Sequence, residues 1–91
     1  MNIEIKIKNK IVSIGLMGKS DEILDRIVLS EERRLSEDLL PSIDDLLKKN
    51  NLEPKDVEKM TLESDMGENF TTYRIAKAVV DAFNWANRNN N

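Results

Sequence analysis

Met60-Thr-Leu-Glu-Ser-Asp-Met-Gly-Glu-Asn-Phe-Thr-Thr-Tyr-Arg-Ile-Ala-Lys-Ala-Val-Val-Asp-Ala-Phe-Asn-Trp-Ala86 passes from the signature of a strand to that of a helix. Val57 to Glu63 reads as the strand, with Met60 and Leu62 inward and Lys59, Thr61 and Glu63 outward. A helix follows from about Thr71 to Asn87, with Arg88 onward expected to fray. Upstream, Leu35, Leu39, Leu40, Ile43, Leu46 and Leu47 recur every three or four residues, which predicts an amphipathic helix over Ser36 to Lys49 with Ser36 as N-cap. Pro41 either kinks this helix or marks its true start. Lys48 and Lys49 suit its C-terminal dipole, Asn50-Asn51 tolerates a left-handed cap, and Glu53-Pro54 opens a turn.

Three further strands precede these elements. Ile3, Ile5 and Ile7 alternate with Glu4, Lys6 and Lys8, so the first strand has one buried and one wet face. A polar turn at Asn9 leads to a second strand, Ile11 to Leu16, with Val12, Ile14 and Leu16 inward. Gly18 to Asp21 turns the chain into a third strand, about Glu22 to Leu29, completing an antiparallel meander. A right-handed crossover from the third strand to the fourth places the fourth beside the first. The expected fold is therefore α/β in a two-layer α+β arrangement: a mixed four-stranded sheet of order 3-2-1-4 with both helices on one face. Residues 1–88 form one domain in this reading, and 89–91 are its frayed tail.

Composition excludes several functions. The chain of 91 residues has no histidine and no cysteine. It therefore lacks the usual base near neutral pH, any disulfide, and the commonest zinc ligands. A net charge of -3 with intermixed signs offers no basic stripe for nucleic acid. The N-terminus alternates apolar and charged residues, unlike a signal peptide or membrane span, so a cytoplasmic protein without direct nucleic-acid or membrane partners is expected. No cofactor, catalytic residue or metal ligand is assigned.

Two segments carry a family resemblance. Leu35-Ser36-Glu37-Asp38-Leu39-Leu40-Pro41-Ser42-Ile43-Asp44-Asp45-Leu46-Leu47 is similar to the His-Ser-Glu-x-Leu-Leu-Pro-x-Ile-Asp-x-Leu-Leu pattern of the TsaB/YeaZ family, and Gly67-Glu68-Asn69-Phe70-Thr71-Thr72-Tyr73-Arg74-Ile75-Ala76 to its Gly-Pro-Gly-Ser-Phe-Thr-Gly-Leu-Arg-Ile-Gly. That family is the non-catalytic subunit of tRNA threonylcarbamoyladenosine modification. It is related to the sugar kinase, Hsp70 and actin superfamily, whose core is ribonuclease-H-like. The resemblance implies a partial ribonuclease-H-like βββαβα lobe and association through the two helices. The partner is a second copy or a TsaD-like catalytic subunit. Three departures accompany it. Lys8-Asn9-Lys10 replaces the Asp-Thr-Ser phosphate loop; Leu35 and Met66-Gly67-Glu68-Asn69 replace the histidine and the glycine-rich turn; and the rest of the first lobe and the second lobe have no counterpart. The glycoprotease label once attached to the family would need metal-binding histidines.

The second helix bears apolar or small residues around much of its circumference: Ile75, Ala76, Ala78, Val79, Val80, Ala82, Phe83, Trp85 and Ala86. One sheet needs a single stripe, so the excess is covered either by the first helix or by a partner, and the resemblance favours the partner. The candidate interface comprises Leu39, Ile43, Leu47, Tyr73, Ala76, Val79, Val80, Phe83 and Trp85, with the aromatic residues as anchors. The rival reading is a metal-dependent ribonuclease-H-like nuclease using Glu4, Asp44 and Asp65. A third reading is an orphan domain of unrelated role. Arg74 is expected to pair with Glu68, Asp65 or Asp81.

Overall fold

The computed structural model describes residues 1–29, 35–67 and 69–89. Its elements are β1 (Asn2–Lys8), β2 (Ile11–Met17), β3 (Ile23–Leu29), α1 (Leu35–Lys49), a 3-10 turn (Pro54–Asp56), β4 (Lys59–Ser64) and α2 (Thr71–Asn89). The strand order is β3-β2-β1-β4, with β1 antiparallel to β2, β2 antiparallel to β3, and β1 parallel to β4. Topology and element order agree with the expectation. The helix α2 extends to Asn89, and Asn90 and Asn91 lie outside the described residues.

Register explains which side chains are inside. Ile3 pairs with Leu16, Ile5 with Ile14 and Ile7 with Val12, and on the other flank Ile3 pairs with Met60 and Ile5 with Leu62. Because side chains alternate along a strand, these pairs all fall on one face. They join Leu39, Ile43, Leu46 and Leu47 of α1 and Ala76 and Val80 of α2 in one buried cluster, so both helices cover that face. Each fully buried Ile or Leu contributes about 1.5–3 kcal/mol. On the opposite face the Lys6 ammonium lies 3.6 Å from Glu4 and 3.5 Å from Glu63. Ile11, Ile23 and Val28 are also exposed on that side.

The turns follow from local chemistry. Asn9 and Lys10 both have positive φ, the geometry of a two-residue hairpin loop that matches strand twist. Asp65, just past β4, accepts the Asn9 N–H at 3.1 Å and ties that loop to the crossover strand. Gly18 closes the next turn by donating to the Glu22 carbonyl at 2.9 Å, and a Cβ there would run into the Glu22 carboxylate. Leu16 pairs with Asp25 and Met17 with Ile23, leaving Leu24 as the extra residue of a bulge.

Pro41 neither starts nor ends α1; it lies inside it. It sits on the exposed side of the helix, away from the buried stripe. Ser36 falls in the first turn and not before it, since the helix begins at Leu35. At the other end Leu52 N–H donates to Leu47 O and Asn51 N–H to Lys48 O, with Asn51 at φ 58. These bonds complete a Schellman motif at the asparagine pair.

Candidate interaction surface

The helix α2 is built around a stripe at three- and four-residue spacing: Ala76, Val80, Asn84 and Asn87. Its apolar half, Ala76 and Val80, enters the core. Its polar half runs past the sheet to the edge of β4. There Asn84 Oδ1 accepts the Met60 N–H at 2.9 Å while Asn84 Nδ2 donates to the Met60 carbonyl at 2.8 Å. Asn87 Nδ2 donates to Pro54 O at 3.1 Å and Val57 O at 2.8 Å. Four backbone groups between the 3-10 turn and β4 are satisfied this way, which anchors the second half of α2 through hydrogen bonds beside the apolar contact of Phe83.

Around this anchored stripe the rest of the helix divides cleanly. Val79 and Phe83 are half-buried against the core, and Tyr73, in the first turn of α2, is half-buried too. Ala78, Ala82 and Trp85 form the outward row, with the Trp85 ring 63% exposed. Lys77 flanks the row and holds both oxygens of Asp81 at 2.9 Å. Leu40 on α1 and Phe70, one residue before α2, are each 58% exposed.

Five of the nine interface candidates lie in the chain's own core. Leu39, Ile43, Leu47, Ala76 and Val80 are consumed by the chain's own core, because α1 lies against α2 and takes up the apolar excess on that side. Tyr73, Val79 and Phe83 keep partial access, and Trp85 keeps most of its surface. Leu40, Phe70, Ala78 and Ala82 were not among the candidates, and they add reachable apolar surface on the helical side of the molecule. Their exposure depends on how the helices roll against each other, which spacing does not reveal.

The carboxylates of the nuclease reading are not brought together. Glu4 pairs with Thr61 on the uncovered sheet face, whereas Asp44 projects from the helical layer and pairs with Lys48 at 2.8 Å. The sheet itself separates them, and Asp65 is engaged by Asn9. Among the described residues no cluster of three acidic side chains is placed to hold a metal. Of the partners expected for Arg74, Glu68 lies outside the described residues, Asp65 accepts from Asn9, and Asp81 pairs with Lys77. No described helix is long and apolar enough to cross a membrane.

Among the described acids, Asp25 on β3 is the one whose surroundings shift it. Asp25 accepts from Asn50 Nδ2 at 3.0 Å and from the Arg26 N–H at 2.8 Å, and Lys49 Nζ lies 3.3 Å away. The Asn50 amide first, then the Arg26 N–H and the Lys49 ammonium, hold its carboxyl below the ordinary 3.8. Asp25 thus docks the end of α1 onto the edge strand.

No family model matches the sequence, and no curated protein matches it. Solved structures do. The fold is similar to YeaZ from Pseudomonas aeruginosa, with a TM-score of 0.77 and 22% identity over 97% of this chain and 41% of that one. It is equally similar to an uncharacterized protein with similarity to peptidase YEAZ from Pseudomonas aeruginosa, with a TM-score of 0.76 and 22% identity over 97% of this chain and 40% of that one. The chain thus spans about two fifths of the length of the structures it matches.

Proposed function

We infer, from the fold shared with YeaZ, that this chain is a cytoplasmic TsaB-like protein-interaction domain without catalysis of its own, associating through the outer side of its helical layer. The partner is a second copy or a TsaD-like catalytic subunit of the tRNA threonylcarbamoyladenosine machinery. One observation carries the reading: Trp85 is 63% exposed on α2, in line with Ala78 and Ala82, while the buried stripe of the same helix lies elsewhere. A large aromatic flanked by small residues lets a second helix approach closely and gives it an anchor. The likeness to a peptidase is a property of a structural neighbour. A zinc peptidase built on these residues would have no histidine ligand, since the chain contains none.

Light scattering after size exclusion tests the reading on wild type and on Trp85→Ala combined with Ala82→Arg. Both positions are exposed, so the fold should survive. The expected result is a wild type of twice the chain mass, or one that captures a TsaD-like subunit, with the double substitution abolishing either association. A monomeric wild type that captures no such subunit overturns it.

A further inference from the structure

We propose that Asn84 is a plug on the open edge of β4, holding shut a surface on which a second copy of this chain would otherwise add its own β4 in antiparallel pairing. In a parallel pair, alternate residues turn both peptide groups toward the same neighbour. Asp65, in step with Thr61 and Glu63, donates to Ile7 of β1 at 3.1 Å. Met60 is out of step and turns both groups away from β1, where the Asn84 amide meets them at 2.9 and 2.8 Å. A side-chain amide presents one acceptor and one donor, the same pair that a neighbouring strand's peptide would offer. The peptides of Leu62 and Ser64 follow Met60 in facing the open edge, so Asn84 covers the first of three outward positions.

The start of the edge opens into a groove lined by Pro54, Val57, Lys59, Asn84, Asn87 and Arg88. The occupant is chosen by charge. Pairing two copies of β4 antiparallel about Leu62 sets Met60 opposite Ser64 and Thr61 opposite Glu63. It also sets Lys59 opposite Asp65 at both ends. Lys59 and Asp65 are both exposed and on the uncovered face of the sheet. Opposite charges directly across a pair favour that register. The Met60 to Ser64 pair is the one that the Asn84 amide blocks, in each copy. Natural sheets commonly close such edges against association, and here the closing group is an interior position of a helix and not a charge on the strand. This surface is separate from the row of Trp85.

The test is Asn84→Ala, followed by light scattering across a concentration series and by amide exchange. The variant is expected to reach twice the wild-type mass as concentration rises. Adding Lys59→Glu, which opposes two acids at both ends, or Leu62→Pro, which removes the central outward N–H, should return it to the wild-type mass. A folded Asn84→Ala variant that keeps the wild-type mass at every concentration overturns the proposal, as does association that Lys59→Glu leaves intact. If Asn84→Ala does not fold, exchange in the wild type decides: the Met60 amide should exchange at least about tenfold more slowly than that of Leu62. Equal exchange at the two amides, fast or slow, sinks the plug.

Discussion

At Asp25 a single carboxylate joins a strand edge to a helix end. Its donors come from Asn50, Arg26 and Lys49, and Asn50 also reaches Leu46 O at 2.8 Å. Since the folded pKa is depressed, the stability Asp25 contributes is fully present above its unfolded value and is lost as pH falls through the lower folded one. Asp25→Asn should therefore lower stability at pH 7 and flatten the stability curve at pH below 3.8, which urea melts at stepped acid pH will show. An unchanged acid slope in the variant excludes this role. Spacing alone gives Asp25, Asn84 and Asn87 no bonding role, because each finds a partner at least 24 residues away. A signal was present for two of them. Asn84 and Asn87 continue the stripe of Ala76 and Val80, and polar residues on a buried stripe call for buried partners.

Between the elements, α1 shows how a rule about proline yields to its surroundings. Pro41 lies within a helix of 15 residues and on its exposed side. The proline cannot donate its own intrahelical bond, while Leu39, Ile43, Leu46 and Leu47 hold the buried side. Pro41→Ala restores the donor and removes the ring clash, so it should raise stability by about 1–3 kcal/mol. Chemical denaturation of the two proteins measures the difference, and a loss of stability in the variant would contradict the argument. The strands needed no such arbitration. Their alternation set both faces, and the bulge at Leu24 came from the geometry of the turn at Gly18.

For the molecule as a whole, one core serves four strands and two helices, and a chain of 91 residues has a modest margin, with typical domains at roughly 5–15 kcal/mol. Leu46, fully buried between helix and sheet, is a sensitive probe. Leu46→Ala should cost about 2–5 kcal/mol. The loss will show as a lower melting temperature, and if the helical layer pairs two copies that temperature will rise with protein concentration in both wild type and variant. A concentration-independent melting curve in the wild type argues for a different partner.

By itself the sequence determined the strand faces, the helix stripes, the order 3-2-1-4 and the absence of histidine and cysteine chemistry. Period two and period 3.6 report locally which side of an element is apolar, and the handedness of a crossover leaves few topologies. The tertiary structure alone decided how much of that apolar surface the chain keeps for itself. Leu39, Ile43, Leu47, Ala76 and Val80 went to the core, while Leu40, Phe70 and Trp85 stayed outside. The width of a buried stripe depends on where neighbouring elements lie, and hydrogen bonds such as Asn84 to Met60 exist only once the packed helix has brought distant residues within reach.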